Sequence, residues 1–277
     1  MAVRRITTRN AAFQQWQAQL TNRTKRQRAG EFLVQGVRPI SLAVERGWRV
    51  RTLLHDADRP PTGWAGRLLA EVPAERVAMA PELLAELGEK DAGPPELIAV
   101  AELPPDDLSR IPLAGPAAES FLGVVFDRPT SPGNIGSLIR SADAFGASGL
   151  VVTGHAADVY DPKSVRASTG SLFALPVVRA PGHREVLDWL AGSAPADRPV
   201  TVVGTDESGT VPVDACDLTG PVLLLVGNET RGLSAAWRDR CDVLVSIPMT
   251  GSASSLNAAN AASVVLYEAA RQRRAAR

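Results

Sequence analysis

Three short stretches in the second half of the chain hold residue types that could do chemistry. Asn134-Ile-Gly-Ser-Leu-Ile-Arg140 sets an amide and a guanidinium six residues apart. Gly227-Asn228-Glu229-Thr-Arg-Gly232 ends an apolar run in a Gly-rich turn bearing a carboxylate, and Ile247-Pro-Met249, followed by Ser255-Leu256-Asn257, is polar backbone leading into a helical pattern. An orienting amide, a fixed cation and glycine turns that let backbone approach a ligand are the parts of a group-transfer site. Taken singly each has a plainer reading: Asn134 as a helix N-cap, Arg140 as a helix-surface cation, Glu229 as a carboxylate near a helix start, Ser255 and Asn257 as caps of the last helix.

Positioning these groups requires strands that end where they begin. Phe121–Phe126, Gly149–Val152, Val200–Val203, Pro221–Val226 and Val243–Ile247 are unbroken apolar runs, the pattern of a sheet buried on both faces. Helical patterns at Ile135–Phe145, Glu185–Leu190, Leu233–Arg240 and Asn257–Arg271 fall between or after them, which predicts a parallel α/β sheet. The first half also alternates, with strands at Glu31–Val34, Val50–Leu54 and Glu96–Ala101. Helices are expected at Asn10–Leu20, Pro39–Arg46, Trp64–Glu71 and Pro81–Leu87. Between the halves, Glu102–Pro116 is dense in Pro and acid and has no sustained period. The expected division is a basic arm with a short helix at 1–28, an α/β domain at 29–108, a linker at 109–119 and a second α/β domain at 120–277.

At 277 residues two domains are the first expectation, and 45% hydrophobic with 22% charged residues is an ordinary globular composition. No apolar run approaches the roughly 20 residues of a membrane helix. The start of the chain lacks an apolar leader, and Cys216 and Cys241 sit in no paired or metal-type spacing, so a cytoplasmic location is expected. His55, His155 and His183 share no metal spacing either, and no metal is expected. Formal net charge is zero, yet Arg4, Arg5, Arg9, Arg23, Lys25, Arg26 and Arg28 fall in the first 30 residues with no acid among them, and Arg271, Arg273, Arg274 and Arg277 close the chain. Such polarity suits a polyanion held on selected faces, or a solubilising tail.

A dinucleotide site would place its Gly-rich turn straight after the first strand of the second domain, and Phe126-Asp-Arg-Pro-Thr-Ser-Pro-Gly-Asn134 lacks that spacing. The Gly-rich turn comes instead after Val226. With Tyr160-Asp-Pro-Lys-Ser-Val-Arg-Ala-Ser-Thr-Gly170 and Pro176, the three stretches resemble, in order, the signature segments of the SpoU-type (TrmH-like) branch of the SPOUT RNA methyltransferases, over roughly Phe121–Arg271. The N-terminal Arg-Asn-Ala-Ala-Phe-Gln-Gln-Trp16, Gly30–Ala43 and Ser-Ala-Ser-Ser-Leu-Asn-Ala-Ala-Asn260 are similar to the actinobacterial avilamycin-resistance members of that family. One departure is Ala258-Ala259, where the family usually has Val-Ser.

The resemblance implies a C-terminal domain with a deep trefoil knot, pairing as a homodimer, preceded by an RNA-binding domain similar to ribosomal protein L30e. It implies an S-adenosylmethionine-dependent 2'-O-methyltransferase acting on a uridine of 23S rRNA, free or in the large ribosomal subunit, and conferring resistance to an orthosomycin such as avilamycin. Arg140, Asn134, Glu229, Ser255 and Asn257 become the expected catalytic group, with Glu229 a partner for Arg140 or an anchor for ligand. Thr205, Gly227, Asn228, Ile247, Met249 and Leu256 become the expected donor pocket, in part through their main chain. Lys163 and Arg166 join the basic arm as expected RNA contacts. A guanidinium stays protonated to pH above about 12, so Arg140 is expected to act by holding phosphate and steadying developing alkoxide rather than as a base. A housekeeping tRNA or rRNA methyltransferase of the same family, and a non-catalytic RNA-binding assembly factor, remain open beside this reading.

Overall fold

The apolar runs of the second half lie side by side in one sheet, and the alternating first half forms another. The computed structural model describes residues 4–88, 94–113 and 120–276. The chain divides into two compact units: residues up to Pro104 with Tyr160–Ala174, and Pro105–Val159 with Leu175 to the C-terminus.

In the first unit, strands β1 (Arg4–Ile6), β2 (Glu31–Gln35), β3 (Val50–Asp56), β4 (Glu75–Met79) and β5 (Leu97–Glu102) form a mixed sheet in the order β1-β4-β3-β5-β2. Helices α1 (Ala11–Thr21), α2 (Arg23–Ala29), α3 (Val37–Glu45), α4 (Gly63–Glu71) and α5 (Pro81–Leu87) connect them. The basic stretch expected at 1–28 as an arm with a short helix lies within the first unit's sheet and core. Arg4–Ile6 pairs in parallel with Val77–Met79, and α1 buries Phe13 and Trp16 in the core shared with Leu54, Met79 and Leu84. Asn22 caps α2 by accepting from the Lys25 N–H, and Gly30 closes it in the left-handed region at φ 65°. Strand β4 escaped the sequence reading because Glu-Arg-Val-Ala-Met holds too little apolar length to signal a strand, yet β1 and β3 flank it.

Tyr160–Ala174 belongs to the first unit although it lies between two strands of the second sheet in sequence. Its short helix α7 (Pro162–Ala167) and the turn after it are held by aromatic contacts. Phe32 meets Tyr160 at 4.9 Å between ring centroids, Trp48 meets Phe173 edge-on at 5.0 Å, and the Trp48 indole N–H donates to the Phe173 carbonyl at 3.0 Å.

The second sheet comprises β6 (Leu122–Asp127), β7 (Gly149–Thr153), β8 (Val177–Ala180), β9 (Thr201–Thr205), β10 (Val211–Pro212), β11 (Val222–Val226) and β12 (Val243–Ser246), parallel throughout, in the order β10-β12-β9-β11-β6-β7-β8. Helices α6 (Pro132–Ala144), α8 (His183–Ser193), α9 (Ala235–Arg238) and α10 (Ala258–Ala275) accompany it. All of β6 and β11 is buried, the property that makes their sequences read as unbroken apolar runs. The expected linker at 109–119 is partly structured: Leu108–Arg110 makes a 3-10 turn capped by Asp107, Arg110 donates to the Val177 carbonyl at 3.0 Å, and Ile111 and Leu113 enter the core of the second unit. The remaining linker positions 114–119, the acid-rich positions 89–93 and the basic Arg277 lie outside the described residues.

Candidate active site at the carboxyl ends of the strands

In an open parallel sheet, ligands bind beyond the carboxyl ends of the strands, where the strand order reverses. Here β7 and β8 extend the sheet to one side of β6, whereas β11, β9 and β12 extend it to the other. At the carboxyl ends of β9, β11 and β12 lies a cavity of about 430 Å³, within the range of small-molecule sites. All six residues of the expected donor pocket line it: Thr205, Gly227, Asn228, Ile247, Met249 and Leu256, together with Glu229 and Ser255. Met249 and Leu256 are each 39% exposed, so apolar side chains stand open at its rim.

The Gly227–Gly232 turn is held by its own backbone and by Arg128. Asn228 and Gly232 exchange N–H···O bonds at 3.0 Å in both directions, and Gly232 adopts φ 62° to close the loop. A Cβ on Gly227 would lie 2.3 Å from the Gly232 carbonyl carbon and 2.4 Å from the Leu233 nitrogen, both backbone atoms, so only glycine fits there. The Asn228 side chain donates to the Arg128 carbonyl at 2.6 Å and accepts from the Thr230 and Arg231 N–H groups. Its polar atoms are therefore committed to the turn, so it shapes the pocket rather than presenting a free amide. Thr205 likewise spends its hydroxyl on the Leu225 carbonyl at 3.0 Å.

Glu229 ties the three sequence stretches together. Its carboxylate accepts from the Thr130 N–H at 2.9 Å, the Thr130 hydroxyl at 3.0 Å, the Ser131 N–H at 3.1 Å and the Asn134 amide at 3.0 Å. Asn134 in turn accepts through Oδ1 from Asn257 Nδ2 at 3.1 Å, and Asn257 Oδ1 accepts from the Ala259 and Asn260 N–H groups at the start of α10. Because the carboxylate accepts only, and the helix N–H groups donate only, the two ends of this chain of bonds fix the orientation of both amides. Burial raises the Glu229 pKa, but the backbone N–H groups of Thr130 and Ser131 and the Asn134 amide outweigh it, and the net shift is below the ordinary carboxylate value. Glu229 is thus an anion at neutral pH with its oxygens already occupied.

Two expectations change on this geometry. Glu229 does not pair with Arg140: its partners are Thr130, Ser131 and Asn134, because the turn projects it onto the start of α6, where N–H groups and the helix dipole favour an anion. Nor is Asn134 the N-cap of α6; Ser131 is, accepting from the Asn134 N–H at 3.3 Å, which leaves the Asn134 side chain available to Glu229 and Asn257. Arg140 is exposed on α6 and carries no hydrogen bond or ion pair among the described residues, so its guanidinium is open to an incoming anion.

Sequence reasoning missed the wall made by Asp206 and Arg238, which form an ion pair beside the pocket, and the strand-end pair Asp127 and Arg128. Asp127, 3% exposed, accepts from the Ser234 N–H at 2.9 Å and from Arg128 Nε at 3.1 Å. Arg128 reaches the Gly232 carbonyl at 3.2 Å from a backbone with φ 53°, a conformation uncommon for a residue with a side chain. An Asp-Arg pair at the end of an apolar run was the available signal.

The expected RNA-contacting cations are not alike. Arg4, Arg5 and Arg9 pair at the surface with Glu75, Asp58 and Glu86, interactions weak enough for a phosphate to displace. Arg23, Lys25, Arg28, Lys163 and Arg166 are exposed. Arg26 must be removed from the set: it is 2% exposed, donates to the Gln19 carbonyl and lies 3.7 Å from Asp161, so it braces the first unit. Among the described residues, no group of three or more His, Cys, Asp or Glu could hold a metal ion, and no helix is long and apolar enough to cross a membrane.

Comparison with known proteins places this geometry. Residues 10–99 match the SpoU L30e-like domain, and residues 122–267 match the SpoU rRNA Methylase family. The chain is 67% identical, over 98% of its length and 93% of the relative's, to the 23S rRNA (uridine(2479)-2'-O)-methyltransferase of Streptomyces viridochromogenes. Its structure is similar to that of the SpoU methyltransferase AviRb from the same organism in complex with AdoMet. The TM-score is 0.92 at 66% identity, covering 97% of this chain and 100% of the other. The AdoMet-bound rRNA methyltransferase from Sinorhizobium meliloti is similar at TM-score 0.84 and 29% identity, covering 97% of this chain and 98% of the other. With a family match over more than half its length and a relative matched over nearly all of it, the chain belongs to the SpoU rRNA methylase family.

Proposed function

We propose that the protein transfers a methyl group from S-adenosylmethionine to the 2'-hydroxyl of a uridine in 23S rRNA, free or in the large ribosomal subunit. The observation that carries this reading is the bonded chain Glu229–Asn134–Asn257, which joins all three stretches beside a cavity lined by Gly227, Ile247 and Leu256. Identity of 67% to a 23S rRNA uridine 2'-O-methyltransferase supports the substrate. The cavity suits the donor: Gly227 packs so closely on the Gly232 and Leu233 backbone that the turn is held shut at the strand end, and Met249 and Leu256 offer apolar contact at the rim. When bound, S-adenosylmethionine supplies a methyl group on a positively charged sulfur, a good leaving group for transfer to oxygen.

The chain's own residues then have separable work. Gly227, Ile247, Met249 and Leu256 hold the donor; Thr205 and Asn228 keep the strand ends and the turn in shape. Glu229 orients Asn134, and Asn257 completes the same array, so that amide is presented in one orientation toward the ribose. Ser255 lies beside them in the pocket lining. Arg140 holds a substrate phosphate and steadies the alkoxide as the oxygen–carbon bond forms and the carbon–sulfur bond breaks, and the hydroxyl proton leaves to a phosphate oxygen or water. Glu229 is no proton acceptor, since four donors already occupy it.

The same reading carries a deep trefoil knot in the second unit, cytoplasmic residence, orthosomycin resistance and a homodimer formed through the C-terminal domain. Exposed Val264 and Tyr267 on α10, with Phe145 edge-on to Tyr267 at 5.9 Å, support the last. It also divides the work, with RNA gripped by the first unit and the methyl group moved by the second. The test is methylation mapping of 23S rRNA from a host with and without the gene, alongside growth on avilamycin. A new 2'-O-methyluridine is expected, with raised tolerance. Unchanged 23S rRNA with a new methylation in tRNA would transfer the reading to a housekeeping enzyme.

A further inference from the structure

We propose that a second cavity, built wholly from the first unit, takes an unstacked nucleobase of single-stranded RNA. This rests on the reading above that RNA is the substrate, and adds a place where the RNA is held. The cavity measures about 400 Å³ and lies where β2 runs into α3, facing Pro162–Thr169. Val37, Trp64 and Val165 contribute apolar walls, and Arg38 and Arg166 stand at its edge. Val37 is 59% exposed, the most open large aliphatic side chain among the described residues. Trp64 is held in place by donating its indole N–H to the Ser41 hydroxyl at 3.0 Å. Arg38 is anchored through Nε to the Thr169 carbonyl at 3.2 Å, which leaves the far end of its guanidinium for a further acceptor.

An apolar slot of this size rimmed by two guanidiniums matches a nucleotide, which joins a flat, weakly polar base to an anion. The one carboxylate in the lining, Glu96, accepts from the Thr62 N–H and hydroxyl and is thereby drawn toward the start of α4. Duplex RNA cannot deliver a base into such a slot, so the site selects unpaired strand. The 160–174 segment is thereby part of the reader as well as a bridge in sequence between β7 and β8.

The test uses the full-length protein and fluorescein-labelled oligouridylate of eight nucleotides, with binding read by anisotropy. Controls are an eight-unit abasic ribose-phosphate strand, a blunt RNA hairpin, and donor affinity by calorimetry. Oligouridylate is expected to bind about tenfold more tightly than the abasic strand or the hairpin stem. Val37→Ser, neutral and at an exposed position, should reduce that preference about fivefold, and Arg38→Ala with Arg166→Ala should weaken all strands and lower the salt slope, with donor affinity unaltered. Equal affinity for oligouridylate and the abasic strand, or a preference that survives Val37→Ser, would overturn the nucleobase site. Failure of the wild-type protein to methylate a 23S fragment would instead remove the functional reading beneath it.

Discussion

Replacing Glu229 with alanine removes the acceptor shared by Thr130, Ser131 and Asn134, three residues at the start of α6. Two backbone N–H groups, one hydroxyl and one amide lose a charged partner at 2.9 to 3.1 Å. A hydrogen bond to a charged group contributes about 1.5–3 kcal/mol and a stranded buried donor costs about 1–3 kcal/mol; since the turn is partly open, water replaces some of this, leaving a loss of about 2 kcal/mol. For a domain of this size that is a fall in melting temperature of about 4–8 °C. Methyl transfer should fall much further, because Asn134 loses the partner that fixes its amide and is free to turn over, breaking its bond to Asn257. The pH dependence provides an independent check. The Glu229 pKa is held below its ordinary 4.5, so its stabilising contribution is fully present above that value and is lost as pH falls through the lower folded value. Wild-type protein should therefore lose stability below pH 4.5 more steeply than Glu229→Gln, which has no such group to protonate. Denaturant titrations at a series of pH values, with donor binding and turnover measured on the same samples, read all three effects. Parallel acid profiles for the two proteins, or full turnover in Glu229→Ala, would refute the reasoning.

Gly227→Ala forces a methyl group within 2.4 Å of two backbone atoms, so the turn must open; donor affinity by calorimetry should fall at least tenfold with a stability loss of about 1–3 kcal/mol. Arg140→Ala should abolish turnover while donor affinity survives, since the exposed guanidinium has no structural partner among the described residues and takes no part in the pocket lining. Arg26→Ala and Arg28→Ala should diverge: the first destabilises by about 3 kcal/mol because it removes a buried side chain and the donor to the Gln19 carbonyl and takes the neighbouring cation from Asp161, whereas the second leaves stability unchanged and lowers the salt slope of RNA binding by about one. Thermal melts and binding isotherms at several salt concentrations distinguish them.

Much of this protein was legible in its sequence, for reasons that are local. Leu122–Asp127 and Val222–Val226 are buried on both faces, and that demand imprints itself as continuous apolar runs whatever their order in the sheet. The Gly-rich turn after Val226 announced a close backbone approach, and the donor-pocket residues were gathered by the resemblance of their segments to the family's signature stretches, which lie near strand ends. The tertiary fold decided what depends on partners far apart in the chain. Arg26 reads like its exposed neighbours Lys25 and Arg28, but Gln19 and Asp161 meet it inside the first unit. Arg4–Ile6 has no strand length of its own and becomes one only because β4 offers an edge. Glu229 turns to Thr130 and Asn134 rather than Arg140 because the fold returns the Gly227 turn to the start of α6, 95 positions earlier in the chain at Asn134. Residue types and spacing determined which chemistry was available; which groups touch was settled by the parallel order of the sheet, since only folding brings distant strand ends to one side.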